Sequence, residues 1–161
     1  MAQRLVRIAY RAASWEPPVV DDLDRLIAAE FRDDNGAPDR APSAYLVADE
    51  GEALRAYVEH VASQGLGLRG TAYLFDVTDL SQQVSHSEGT TRFAFSRGAH
   101  REILLPTDDE LRVFAGRLAT EQEARRMIVT KKQVREYVAA QLAVEDAEWL
   151  TLKRERPDWP P

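Results

Sequence analysis

The sequence predicts an α+β domain: a mostly antiparallel sheet with flanking helices and a helical C-terminal extension. Three observations predict it. Short apolar runs with period-2 alternation recur at 3–11, 44–48, 71–78 and 100–105. Between them lie segments with helical spacing and N-cap chemistry. From about Thr120 onward the pattern turns helical throughout. Together these describe strands and helices mixed in one layered unit rather than a bundle or a sandwich.

The elements follow in order. Over residues 3–11, Leu5, Arg7, Ala9 and Arg11 alternate with Val6, Ile8 and Tyr10, as on a strand. WEPPVV, residues 15–20, is a prolyl break. Asp21 can cap a helix from 22 to about 31, with Leu23, Leu26, Ile27 and Phe31 on its apolar side. Residues 32–43 have loop composition, and AYLVA at 44–48 is a short strand. Asp49 and Glu52 stand at capping-box spacing before a helix carrying Ala53, Leu54, Tyr57, Val58 and Val61. QGLGLRG, 64–70, ends that helix, its glycines supplying the turn. TAYLFDVT, 71–78, is a strand, and SQQVSHSEGT, 81–90, is a polar loop. TRFAFS at 91–96 and HREILL at 100–105 are predicted strands, and ELRVFA at 110–115 is a further strand candidate. Thr130 with Gln133 forms a capping box, followed by a stripe of Val134, Tyr137, Val138, Gln141 and Leu142. The RERPDWPP tail is predicted to be irregular.

A chain of 161 residues is expected to form one domain, 1–161, with an α+β core at 1–119 and a helical extension and tail at 120–161. There is no cysteine, which excludes disulfides, thiol catalysis and thiolate metal sites. No run approaches the roughly 20 apolar residues that span a bilayer. The arginine-broken N-terminus does not read as a signal peptide, so the expected compartment is the cytoplasm, with signal-independent export as a toxin left open. A net charge of -6 argues against a general nucleic-acid binder. Of 21 basic residues 18 are arginine, a bias that fits a GC-rich genome as well as it fits any function.

Motif chemistry narrows the classes further. His60, His86 and His100 lie in three different segments without metal-ligand spacing, so no metal is expected. GLGLRG lacks the lysine of a phosphate loop and precedes a strand, and no GxSxG elbow is present. Asp108-Asp109 reads as a solvated turn. Three features remain, in order. YRAAS puts Arg11 at the end of the first strand. PSAYLVADEGEALRAYVEHV puts Ser43 and Tyr45 at a strand start, before a helix with Ala53 and Tyr57. AHREILLP puts Glu102 at the mouth of a late strand, with His100 on the same side of the pleat.

In these residues, over about 4–114, the chain resembles the ADP-ribosyltransferase family. The resemblance implies NAD as substrate, Glu102 as the catalytic glutamate, and Arg11, Ser43, Tyr45 and Tyr57 as NAD-binding residues. His100 occupies a position where many members carry Glu or Gln and which helps select the acceptor. The chain departs from the family in lacking Ser-Thr-Ser in the middle motif, and the segment after Thr120 has no counterpart. The expected activity is ADP-ribosyl transfer to an unknown acceptor, or NAD glycohydrolysis. Its chemistry suits these residues. Cleavage of the nicotinamide–ribosyl bond builds positive charge on the ribose, which a carboxylate stabilises. Arg11 could hold a phosphate, Tyr45 could stack on nicotinamide, Ser43 could fix its amide or the ribose, and residues 81–90 could carry the acceptor.

Each residue also has an ordinary structural reading. Arg11 can be a solvated edge charge, Tyr45 a half-buried sheet aromatic, Tyr57 core and His100 an exposed strand residue. Glu102 can pair with Arg7, Arg11 or Arg101. Two other classes therefore stand beside the transferase. One is an acidic immunity or adaptor module, a class that includes an inactive member of the same fold, with 130–150 as a candidate interface. The other is a different small enzyme using Arg11 and Glu102 on an anionic substrate.

Overall fold

Six strands join into one antiparallel sheet, and alternating apolar residues bury on both faces of its central strands. The strands are β1 (Arg4–Ile8), β2 (Ser43–Val47), β3 (Thr71–Asp76), β4 (Val84–His86), β5 (His100–Ile103) and β6 (Arg126–Thr130). Their order across the sheet is β4-β5-β2-β1-β3-β6. The helices are α1 (Leu23–Glu30), α2 (Glu50–Gln64), α3 (Ala94–Ala99), α4 (Asp108–Arg125), α5 (Lys131–Ala143) and α6 (Ala147–Glu155), with a 3-10 turn at Ala12–Trp15. This is a computed structural model, and it describes residues 3–16, 21–65, 67–68, 70–80 and 83–161. Most of the WEPPVV break (17–20), two positions of QGLGLRG (66 and 69) and residues 81–82 of the polar loop lie outside the described residues.

The pleat sorts the strand residues onto two faces. Ile8, Tyr45, Val47, Ala72, Leu74 and Val129 face one core, closed by α2, α5, α6 and the Phe93 segment. Leu5, Ala44, Tyr73, Phe75 and Ile103 face the other, closed by α1, α4 and the 3-10 turn. Local chemistry starts the helices. Asp22, Asp49, Thr107, Thr130 and Asp146 each accept a backbone N–H of the first turn. Thr130 and Gln133 complete a reciprocal capping box. Helix α2 ends at Gly65, whose φ of 64° suits a residue without Cβ.

Several expectations are corrected. ELRVFA is not a strand but part of α4, because Thr107 caps it and Leu111, Phe114, Ala115 and Leu118 bury at helical spacing. Asp108-Asp109 is accordingly the first turn of that helix, where carboxylates meet the positive end of the backbone dipole. TRFAFS is not a strand either. Phe93 precedes α3 and packs on Trp149 at 4.7 Å, while Ser96 is buried against Glu59. Residues 84–86 of the expected loop form β4. The C-terminal segment is not wholly helical: 126–130 is the edge strand β6, paired with β3, and position 119 falls inside α4. The first strand stops at Ile8, so Arg11 sits beyond it at the cap of the 3-10 turn. The α5 stripe packs on the domain itself, with Val134 and Val138 buried and Tyr137 and Leu142 partly so. The RERPDWPP tail begins inside α6, and its Trp159 is buried against Trp149.

Candidate functional site

Strands β2 and β5 are far apart in sequence but adjacent in the sheet, and their register decides the site. Ser43 pairs with Glu102 and Tyr45 with His100. Directly opposed residues share a face, so all four project to one side. There they line a cavity of about 780 Å³, together with Tyr10, His60 and the segment 87–92.

The pairings of β2 with β5 and of β1 with β2 turn two arginines away. Arg101 pairs with Ala44, on the opposite face, and donates to the carbonyls of Gly98 and His100 at 2.8 Å each. Arg7 alternates onto that opposite face too. It is buried and donates to the Ser43 and Glu30 carbonyls, both at 2.9 Å, with its guanidinium over the Phe31 ring at 4.9 Å. Glu102 therefore forms no ion pair among the described residues. Its recorded contact is a long hydrogen bond from Ser87 Oγ at 3.3 Å. The carboxylate at the strand mouth is half-buried beside the cavity.

Buried Glu30 shapes the opposite rim. Its carboxylate accepts the N–H of Tyr10 at 2.9 Å and of Arg11 at 2.6 Å. This fixes the chain as it leaves β1, with Tyr10 lining the main cavity and Arg11 exposed. Arg11 instead lines a second cavity of about 300 Å³ with Tyr57, and Ile8, Tyr10 and His60 border both cavities. Tyr57 is a core residue that borders only the smaller one. The structure thus brings Ser43, Tyr45, His100 and Glu102 together and sets Arg11 and Tyr57 in the adjoining space.

Tyr10 and His60 escaped sequence reasoning. Tyr10 was one more strand residue, and His60 was weighed only as a metal ligand. The available signal was spacing: His60 follows Tyr57 by three residues on α2, on the same helical face. In the structure Tyr45 Oη lies 3.2 Å from His60 Nδ1, and the Tyr45 ring meets both imidazoles edge-on, with centroids 6.3 Å from His60 and 5.7 Å from His100. Burial, then the nearby His100 and Arg7, push the His60 pKa down to about 4. Burial, then the neighbouring Tyr10 and Glu59, raise that of Tyr45 well above the usual phenol value. His100 Nδ1–H donates to the Ser87 carbonyl at 2.7 Å, leaving Nε2 as the unprotonated nitrogen of the neutral ring.

Some other polar groups beside the cavity have partners of their own. Glu59 accepts from Ser96 Oγ at 2.7 Å and from Arg55 Nε at 2.9 Å. Arg92 pairs with Glu155 of α6 at 2.7 Å. Among the described residues no group of three or more His, Asp or Glu could hold a metal ion. Among the described residues no helix is long and apolar enough to cross a membrane. No protein-family model matches the chain, and comparison with curated proteins and with solved structures likewise finds no match.

Proposed function

We propose that the cavity binds NAD and that Glu102 promotes cleavage of its nicotinamide–ribosyl bond, with ADP-ribose passing to an acceptor or to water. One observation carries this reading. Glu102 is a carboxylate without an arginine partner among the described residues, standing in register with Ser43 at a cavity that Tyr45 and His100 also line. A volume of about 780 Å³ falls in the range of roughly 300–1,000 Å³ common for ligand sites.

The roles follow from the chemistry. The C1′–N bond breaks and its electron pair leaves on the nicotinamide nitrogen. Positive charge develops on the ribose, where an unneutralised carboxylate stabilises the transition state more than the resting complex. Ser43 can hold a ribose hydroxyl or the amide, and Tyr45 offers its ring to nicotinamide. The nucleophile then bonds to C1′ through a lone pair, and the proton it sheds passes to His100 Nε2 or to solvent. Arg11 has no side-chain partner among the described residues, so it is the free cation for the diphosphate, reached past Tyr10 and His60.

The test is Glu102→Gln. Nicotinamide release should fall by on the order of a hundredfold or more, with NAD affinity and melting temperature nearly unchanged. Wild-type release from the variant would end the assignment.

A second reading rests on a different observation. Asp34, Glu88 and Glu102 line the main cavity, and Arg92, the one arginine among its described lining residues, pairs through Nη2 with Glu155. That charge pattern suits an acidic interaction module that keeps the fold without activity. Millimolar NAD separates the two, since a ligand of the native state must raise the melting temperature. The enzyme reading expects a rise; the module reading expects none.

A further inference from the structure

The two imidazoles of the cavity bond to different kinds of partner. His100 donates through Nδ1–H to the Ser87 carbonyl, which in the uncharged ring leaves the lone pair on Nε2. The partner of His60 Nδ1 is a hydroxyl, which can donate or accept. Tyr45 is buried, and His60 Nδ1 is the hydrogen-bond partner recorded for its hydroxyl. A buried O–H without an acceptor is costly, so Tyr45 donates to Nδ1 and the His60 proton sits on Nε2. Among the described residues neither Nε2 has a hydrogen-bond partner, and both rings border the same cavity.

We infer that the cavity reads its ligand with two neutral histidines of opposite tautomer, His60 donating from Nε2–H and His100 accepting at Nε2, and so selects a primary carboxamide over the corresponding carboxylate. A carboxamide carries one acceptor for His60 and donors for His100; a carboxylate offers His100 only a second acceptor. The identity of the ring that bears the amide rests on the NAD reading above; the tautomers do not. The low basicity of buried His60 keeps it neutral through the physiological range.

The test combines binding with spectroscopy. Melting shifts are measured with NAD and nicotinamide against nicotinic acid adenine dinucleotide and nicotinic acid. The amides are expected to bind at least tenfold more tightly. Long-range proton–nitrogen NMR should show Nε2–H at His60 and Nδ1–H at His100, without any ligand. His60→Leu should lower amide affinity about fivefold to tenfold, the worth of one hydrogen bond. His60→Asn, which can accept from Tyr45 and still donate, should restore most of it. The same tautomer at both histidines, or equal binding of acid and amide, overturns the inference. So does a preference that disappears in Glu102→Gln yet survives loss of either imidazole, because charge would then be the cause. If NAD and nicotinamide both fail to bind, the NAD reading falls, and benzamide against benzoate decides this inference: benzamide alone binding sustains it, and any other result overturns it.

Discussion

On one face of the sheet Trp15, Phe31, Phe75 and Phe114 are at most 1% exposed and lie ring against ring, Phe31 meeting Phe114 at 5.9 Å and Trp15 meeting Phe75 at 4.6 Å. On the other face Tyr45 meets His60 and His100 in similar edge-on fashion, but around an open cavity. The strands supply both faces by the same alternation. What differs is the helix laid over each. Helix α4 presents Leu111, Phe114, Ala115 and Leu118 along its length. Helix α2 presents Ala53, Ala56 and Tyr57 in its first turns, then His60, Ser63 and Gln64 over the cavity. The filled face supplies packing, and the half-filled face holds polar groups in fixed positions at low dielectric, where they are perturbed.

The largest effect that could break this contrast is in the filled face. Phe114→Ala should cost about 3–5 kcal/mol in a urea melt, because Phe31 and its neighbours cannot close the cavity. A loss under about 1 kcal/mol would mean that this face is not the rigid one.

The half-filled face should show itself through pH. The folded pKa of His60 is held near 4, below its ordinary 6.5, so the unfolded chain binds more protons between these values. Its contribution to stability is complete above about pH 6.5 and is lost as the pH falls towards 4, up to about 3 kcal/mol. The difference between wild type and His60→Gln across this window isolates it. Parallel curves would remove the perturbed histidine from the contrast.

Smaller effects sharpen the picture. Thr107→Ala removes the cap of α4 and should cost about 1 kcal/mol without altering ligand binding, since this helix closes the far face. On the cavity side, Arg92 ties the 87–92 segment to Glu155 of α6 across a partly exposed pair. A double-mutant cycle should find under about 1 kcal/mol of coupling. A larger value would make the C-terminal helix a main support of the cavity wall.

The sequence alone determined those elements whose signals are local. Asp49, Thr130 and Gly65 announce helix ends within a few residues, and TAYLFDVT alternates without ambiguity. The polar candidates Ser43, Tyr45, His100 and Glu102 were legible through the resemblance, and parity, which is readable from sequence, put His100 and Glu102 on one side of the pleat. ELRVFA and TRFAFS misled because six residues can satisfy periods 2 and 3.6 at once. For ELRVFA, the Thr107-x-x-Glu110 cap spacing just upstream was the signal that pointed to helix. Only the tertiary structure decided which strands are neighbours, and so whether Glu102 meets an arginine. Pairing of β2 with β5 is a contact between segments more than fifty residues apart, set by burial over the whole sheet and encoded in no local pattern. The strand pairings send Arg7 and Arg101 to the far face, while a helix packed from above brings in His60, which no strand parity could reveal.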